Sequence, residues 1–165
     1  MTVSNFTVEK FSVVSTRTFE DVLAGLEKGI GRPNMSALHK QMGAAKSFSE
    51  LQKIINGAVG SADLMEFLRL DLGAPMRLDP TAKTHQKIVR IIAGNPLIMK
   101  QMVEHVPDAG SYAPITILLY ERHDGVHVSY DMMESFLAPY QNHAALEVAK
   151  QLDVKVTKLI VEAAG

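Results

Sequence analysis

Residues 87–131 constrain the fold most, because their apolar runs and turn signals predict the middle of a β-sheet. Residues 115–120 (ITILLY) form an uninterrupted apolar run of β-favouring residues, which is typical of a strand inside a sheet. Asp124-Gly125 follows and supplies the positive-φ residue that a tight hairpin needs. Residues 126–131 then alternate between apolar and polar side chains, so the returning strand has one face of each kind.

A second apolar run precedes this hairpin and leads into a short helix. Residues 88–93 predict a strand that ends at Gly94. Asn95 can cap a helix with its side-chain oxygen, and Pro96 suits the first helical position, where its missing N–H costs nothing. The predicted buried stripe of this helix consists of Leu97, Ile98, Met102 and Val103.

The rest of the chain supplies two more strands and several helices. Strands are predicted at residues 6–14 and 64–71, and a first helix begins with a capping pattern at Thr18. Residues 34–58 predict two further short helices, and apolar residues at helical spacing predict a long helix over residues 143–163. The chain is therefore predicted to be an α+β protein, with one strand, one helix, four strands and one long helix as its main parts. The sheet of about five strands should be mostly antiparallel, with the two extra helices inserted after the first helix.

Bulk composition narrows the class of protein. With 165 residues the chain is long enough for one domain with a proper core, and we expect a single domain over residues 1–165. A net charge of −1 disfavours non-specific binding of nucleic acid. The absence of Cys excludes disulfide scaffolds and thiol catalysis. Because there is neither a signal-peptide pattern nor a run of about 18 apolar residues, we expect a cytoplasmic protein without membrane contacts.

These features together resemble the family catalogued as domain of unknown function 302. The resemblance rests on the strand that ends in Gly94-Asn95-Pro96, on residues 105–110 (HVPDAG), on the strand that follows Pro114, on the turn at residues 121–125 and on the closing helix. It covers residues 64–163 specifically and residues 6–30 more loosely. It implies a two-layer α/β sandwich similar to the β-α-β4-α arrangement of TATA-binding-protein-like folds, often dimeric, with no activity that could be transferred. The helices at residues 34–58 depart from shorter members of the family.

Charged side chains inside apolar strands are the first candidate site. Glu66, Arg69, Asp71 and Arg90 lie in strands where an unpaired buried charge would be costly. They could form a polar cluster that faces a pocket. The alternative is an ion-paired sheet surface, which the general rarity of buried charges favours.

Aromatic and sulfur-containing side chains are the second candidate site. Tyr112, Tyr120 and Tyr130 could line a cavity for an apolar ligand together with Met99 and Met102, although such residues more often fill a core. Asn95 joins this set as the polar residue at the start of the short helix. His105 is either a titrating group or a residue that favours the negative end of a helix dipole.

The hairpin turn carries a weaker candidate for a metal site. His123, Asp124 and His127 combine imidazole and carboxylate groups, but three ligands on an exposed turn without a fourth are more typical of a solvated turn. We therefore expect no metal site. The residues do not point to any particular cofactor.

Three functions remain open from the sequence. The preferred hypothesis is a small binding protein, expected to be a homodimer, that holds an apolar or aromatic molecule between the sheet and the C-terminal helix. The alternative is an enzyme that uses Glu66, His105 or Tyr120 as acid or base. A third hypothesis is a non-catalytic dimerisation or regulatory module.

Overall fold

The computed structural model describes residue 1, residue 3 and residues 5–165. The strands are β1 (Lys10–Ser15), β2 (Ile30–Gly31), β3 (Leu64–Asp71), β4 (Ile88–Gly94), β5 (Ile115–Arg122) and β6 (Gly125–Asp131). The helices are α1 (Phe19–Gly29), α2 (Met35–Ala44), α3 (Phe48–Asn56), α4 (Ala74–Leu78), α5 (Pro96–Val103), α6 (Met133–Leu137) and α7 (His143–Ala164). Short 3₁₀ turns occur at Pro107–Ser111 and Ala138–Tyr140.

The six strands form one sheet in the order β1-β6-β5-β4-β3-β2. All neighbouring strands are antiparallel except β2 and β3, which run parallel over two residue pairs. The predicted hairpin is confirmed, since Arg122 pairs with Gly125 and Gly125 has the positive φ that the turn requires. The predicted α+β class is confirmed as well, with the two-residue β2 as a sixth strand beyond the expected five.

The long helix α7 covers one face of this sheet together with α1 and α5. Its apolar stripe is buried as predicted, including Leu152, Val156 and Ile160. This stripe packs in one core cluster with inward-facing residues of the central strands, such as Ile91 and Ile117. Because both layers bury their apolar sides against each other, the fold is a two-layer arrangement.

Two helices are inserted after α1, as the sequence predicts. α2 and α3 are capped by Asn34 and Ser47, whose side chains accept hydrogen bonds from Ala37 N–H and Glu50 N–H. Leu38, Ile55 and Met65 form a second, smaller buried cluster between these helices and the start of β3. The insertion therefore packs across the end of the sheet where β3 begins.

Three local features differ from the predicted elements or add to them. The first strand is formed by Lys10–Ser15 rather than by residues 6–14, and the loop after β3 contains the short helix α4. A β-bulge lies between Glu66 and Leu68, where the pairing of β3 with β4 shifts. Because a bulge adds one residue to a strand, the side chains after it change faces. Glu66 and Arg69, which strict alternation would place on opposite faces, consequently lie on the same face.

None of the helices in the described residues combines the length and the apolar character that crossing a bilayer would require.

Candidate functional site

The turn from β4 into α5 is held by a network centred on Asn95. The Asn95 side-chain oxygen accepts a hydrogen bond from Leu97 N–H at 2.8 Å, which caps α5 as predicted. Its amide group donates to the backbone oxygen of Asp63 at 3.2 Å and to Asp63 Oδ1 at 3.0 Å. The other oxygen of Asp63 pairs with Lys155 on α7. Asn95 therefore fixes the β4–α5 turn to the start of β3 and, through Asp63, to α7.

An apolar pocket of about 270 Å³ opens beside this turn. It lies where the ends of β4 and β5 meet α5, α7 and the insertion. Its lining residues are Met42, Phe67, Gly94, Asn95, Pro96, Ile98, Met99, Met102, Ala113, Pro114, Ile115 and Leu152. Leu152 comes from α7 and Ile115 from β5, so the pocket lies at one end of the space between the sheet and the C-terminal helix.

The chemistry of this pocket is almost entirely apolar. No ionisable side chain lines it, and Asn95, the one polar side chain in the lining, already uses its oxygen and its amide group in the turn. Three methionines and Phe67 supply polarizable contacts that adapt to the shape of an apolar guest. The pocket can thus bury apolar surface, but it offers no side chain for acid–base chemistry.

Gly94 forms part of the floor of this pocket. A Cβ atom at this position would lie 3.2 Å from Phe67 Cε2 and 3.4 Å from Pro114 Cβ, both of which belong to the lining. The missing side chain therefore leaves space that even a methyl group would occupy. The sequence indicates Gly94 only as the end of a strand.

Three of the predicted site residues, Asn95, Met99 and Met102, line this pocket. The structure places the others elsewhere, in separate environments, and Asp71 pairs with Arg77 of α4. Met42 and Phe67, which no sequence pattern singles out, complete the wall. Their approach depends on how the insertion packs against the bulged strand, and no local pattern encodes that packing.

Glu66 and Arg69 belong to an ion cluster between β3 and α1. Arg69 binds Glu66 through two hydrogen bonds of 3.1 and 2.5 Å, and it also contacts Glu27 of α1. The Glu66 side chain is 14% exposed, so its partner compensates a largely desolvated carboxylate. These contacts hold β3 against α1.

Tyr130 lies in the core and donates a hydrogen bond of 2.5 Å to Asp153 Oδ1. The same carboxylate accepts N–H bonds from Met133 at 2.8 Å and from Glu134 at 2.9 Å. Asp153 on α7 thereby caps α6. Asp131, which directly precedes this part of the chain, pairs with Lys10 of β1. Burial raises the pKa of the Asp153 carboxyl, although the three hydrogen bonds oppose this shift.

Neither Tyr112 nor His105 lines the pocket. The Tyr112 ring stacks on Phe136 with ring centroids 4.7 Å apart, and its hydroxyl lies 3.0 Å from the Tyr140 hydroxyl. The His105 side chain is 43% exposed and lies 4.0 Å from Glu104.

Arg90 and Tyr120 lie on the face of the sheet that α7 does not cover. The Tyr120 ring stacks on His127 with centroids 5.1 Å apart, and His127 Nε2 lies 2.8 Å from Asp124 Oδ1. This contact lowers the pKa of the Asp124 carboxyl. Arg90 is exposed and reaches Thr116. Among the described residues, no group of three or more His, Asp or Glu side chains is arranged to hold a metal ion.

A larger cleft of about 500 Å³ lies between α1 and α7. Its rim carries Lys155, Lys158 and Glu162, and these side chains already pair with Asp63 or with each other. Because water competes well for such exposed charges, the cleft is a weaker candidate than the apolar pocket.

Comparison with known proteins identifies the family. The family model described as "Domain of unknown function DUF302" matches residues 38–163. No curated protein matches the chain. Among solved structures, an uncharacterized conserved DUF302 protein from Bacillus stearothermophilus is similar, with a TM-score of 0.62 and 11% sequence identity over 93% of this chain and 97% of that one. This likeness supports the fold, and the family model covers more than half of the sequence. The chain belongs to the DUF302 family.

Proposed function

We propose that this protein binds a small apolar molecule, of the size of one or two aromatic rings, in the pocket beside the β4–α5 turn. The observation that carries the proposal is a pocket of about 270 Å³ without any ionisable side chain in its lining. Apolar cavities of roughly 150 Å³ accept benzene, whereas sites for drug-sized ligands begin at about 300 Å³. The pocket volume falls between these limits, which supports a ligand with one or two rings or a short alkyl chain.

The expected affinity is modest. A ligand that removes roughly 200 Å² of apolar surface from water gains about 5 kcal/mol. This free energy corresponds to a dissociation constant on the order of 0.1–1 mM. Asn95 already uses its side-chain oxygen and its amide group in hydrogen bonds of the turn. This supports a ligand without polar groups, because a polar ligand would find no free polar side chain inside the pocket.

Binding is tested with indole and benzene, and with benzoate as a charged control. We expect indole and benzene at millimolar concentration to raise the unfolding midpoint and to give ligand-observed NMR signals of contact. Benzoate should do neither, because the pocket cannot compensate its carboxylate. The proposal fails if neither apolar probe binds, or if benzoate binds equally well.

Gly94→Ala locates the binding site. The added methyl group takes a water-sized volume of roughly 30 Å³ from the pocket, so indole should bind about tenfold more weakly while benzene still binds. The matched control is Gly43→Ala on α2, where an added Cβ meets nothing within 4 Å. This control should leave both affinities unchanged.

The enzyme hypothesis has no comparable support. Its three candidate groups do not meet: Glu66 is clamped by Arg69, His105 is exposed after α5, and Tyr120 lies on the uncovered face of the sheet. We also propose that the protein resides in the cytoplasm. Fractionation of cells that express a tagged chain tests this location.

A further inference from the structure

The face of the sheet that α1, α5 and α7 do not cover differs in character from one side to the other. Residues that pair directly across antiparallel strands have their side chains on the same face, and side chains alternate between the faces along a strand. The pairing of Ser12 with Ser129 gives β1 and β6 hydroxyl groups on this uncovered face. Ser129 pairs in turn with Leu118 of β5, where the face becomes apolar.

An apolar half of the uncovered face is formed by side chains of β3, β4 and β5. The strand register places them side by side on this face, and the set consists of Leu68, Leu70, Ile88, Ile92, Leu118 and Tyr120. Leu68 is 48% exposed and the other five are partly exposed. None of the six belongs to either core cluster or packs against one. Because an antiparallel sheet that only faces water has polar side chains on that face, the apolar half is a candidate contact surface.

Arg90 lies in the middle of the apolar half without a charged partner. Leu70 and Leu118 flank it on the neighbouring strands, and the residues two places before and after it on β4 are isoleucines. Within the described part of the chain, its guanidinium donates a hydrogen bond to Thr116 Oγ1 at 3.2 Å and forms no ion pair. An unpaired charge is costly to bury. A molecule that covers this surface must therefore supply an acceptor, and a carboxylate matches the planar guanidinium best.

A helix has the dimensions that this surface requires. The 7 residues of β4 span roughly 23 Å, which is the length of a helix of about 15 residues. Three strands at a spacing of about 4.8 Å are roughly 10 Å wide, close to the diameter of one helix. The other face of the same sheet already packs against helices, so a helix here would add a third layer. Small molecules instead prefer concave sites.

A second copy of the chain would fit this surface poorly. Across a two-fold axis the same patch of both copies meets itself. With Arg90 in the centre of the patch, two guanidinium groups would face each other. Like charges placed opposite each other in an interface are strongly unfavourable. The charge of the apolar half therefore favours a different protein as the partner.

We infer that the apolar half, with Arg90 at its centre, binds an amphipathic helix of another protein whose apolar stripe includes an acidic residue. A surface of roughly 20 by 15 Å gives about 300 Å² on this chain, or about 600 Å² for both partners. Because interfaces below about 1,200 Å² are typical of transient complexes, the dissociation constant should be on the order of 0.1 mM. None of the six apolar residues lines the pocket, so this inference is independent of the proposed function.

A synthetic helical peptide of about 15 residues tests this inference on the full chain. Its apolar stripe consists of leucines with one glutamate in the middle, and a second peptide has glutamine in place of that glutamate. The glutamate peptide should shift the backbone amide NMR signals of β3, β4 and β5, whereas the glutamine peptide should bind at least about tenfold more weakly. Arg90→Glu should weaken binding of the glutamate peptide by a similar factor, and a third peptide with lysine at that position should restore binding.

Leu68→Thr tests the apolar contact, and Val14→Thr is its matched control. The two side chains are 48% and 51% exposed on the same face, but Val14 lies on β1, outside the apolar half. Leu68→Thr should weaken binding of the glutamate peptide by about fivefold, since it removes apolar surface from the interface. Val14→Thr should leave the affinity unchanged, and the unfolding midpoints verify that every variant is folded.

Three results would overturn the inference. The first is a glutamate peptide that does not bind at millimolar concentration, and the second is equal binding of the glutamate and glutamine peptides. The third is self-association of the chain alone in sedimentation equilibrium that Leu68→Thr abolishes, because a second copy would then occupy the surface. Indole binding should be the same in all these variants, so the outcome for the pocket is measured separately.

Discussion

Replacing Asp153 by alanine should destabilise the protein more than any other single loss of a hydrogen-bonding side chain described above. The carboxylate is 3% exposed and accepts three hydrogen bonds, from the Tyr130 hydroxyl and from the N–H groups of Met133 and Glu134. It is the only link of this kind between α7, β6 and the start of α6 in the described residues. Alanine would leave the Tyr130 hydroxyl and Glu134 N–H without their acceptor, and Met133 N–H would keep only its longer bond of 3.3 Å to the Tyr130 oxygen.

The magnitude follows from the cost of unsatisfied donors. Each buried donor that loses its partner costs about 1–3 kcal/mol. Relief from burying a carboxylate offsets part of this sum, since burial alone raises the pKa of Asp153. A net loss of about 3 kcal/mol is therefore expected. For a chain of this length, such a loss lowers the unfolding midpoint by roughly 6–12 °C. Asp153→Asn keeps one acceptor oxygen and should lose about half as much.

Thermal and urea unfolding of the purified variants measure this effect. Glu147→Ala, on the exposed side of the same helix, is the matched control and should stay within about 1 °C of the wild type. Far-UV circular dichroism before unfolding verifies that the helices are retained. If Asp153→Ala melts together with the control, the three hydrogen bonds contribute no net stability and the reasoning about this cap is wrong.

Four further outcomes are expected. Burial raises the pKa of Asp153 above its unfolded value of about 4, so this carboxyl stabilises the fold most below pH 4 and loses that contribution as the pH rises through the folded pKa. In urea titrations, the stability advantage of the wild type over Asp153→Asn should therefore shrink from pH 4 towards neutrality. Leu152→Asp places an unpaired charge in the core and should abolish cooperative unfolding, which a mutant that melts like the wild type would contradict. Arg69→Met should lower the free energy of unfolding by about 1–2 kcal/mol because it leaves the Glu66 carboxylate unpaired, and Glu66→Gln in the same chain should restore part of that stability. A double mutant no more stable than Arg69→Met would exclude a pairwise interaction between the two side chains. Gly31→Ala would bring a Cβ atom within 2.1 Å of the Ala58 backbone oxygen and should lower the free energy of unfolding by about 1–3 kcal/mol. An unchanged free energy would mean that the insertion moves away from β2, which faster hydrogen exchange in residues 34–58 would detect.

Local signals in the sequence predicted the elements well. The Asp124-Gly125 turn, the caps at Thr18, Ser47 and Asn95, and the apolar stripe of α7 all depend on residues within a few positions of one another. Their physical basis is short-range hydrogen bonding and periodicity, which a single sequence reveals. The order of these elements was enough to indicate the family.

The contacts that shape the candidate site are long-range and could not be predicted in the same way. The bulge in β3 depends on how this strand pairs with β4, and it brings Glu66 and Arg69 together against the simple alternation. The cap of α6 comes from Asp153, about twenty residues further along the chain, and the pocket wall needs Met42 from the insertion. A buried aspartate on the apolar side of α7 was the one available signal, because it interrupts the periodic pattern at a position that faces the core.

The contact between Gly31 and Gly60 brings the two ends of the insertion together. A Cβ atom on Gly31 would lie 2.1 Å from the backbone oxygen of Ala58, and one on Gly60 would lie 2.3 Å from that of Gly29. Because its ends meet, the segment between these glycines leaves and rejoins the sheet at one place. A change in the length of this segment can therefore be accommodated without moving β2 or β3.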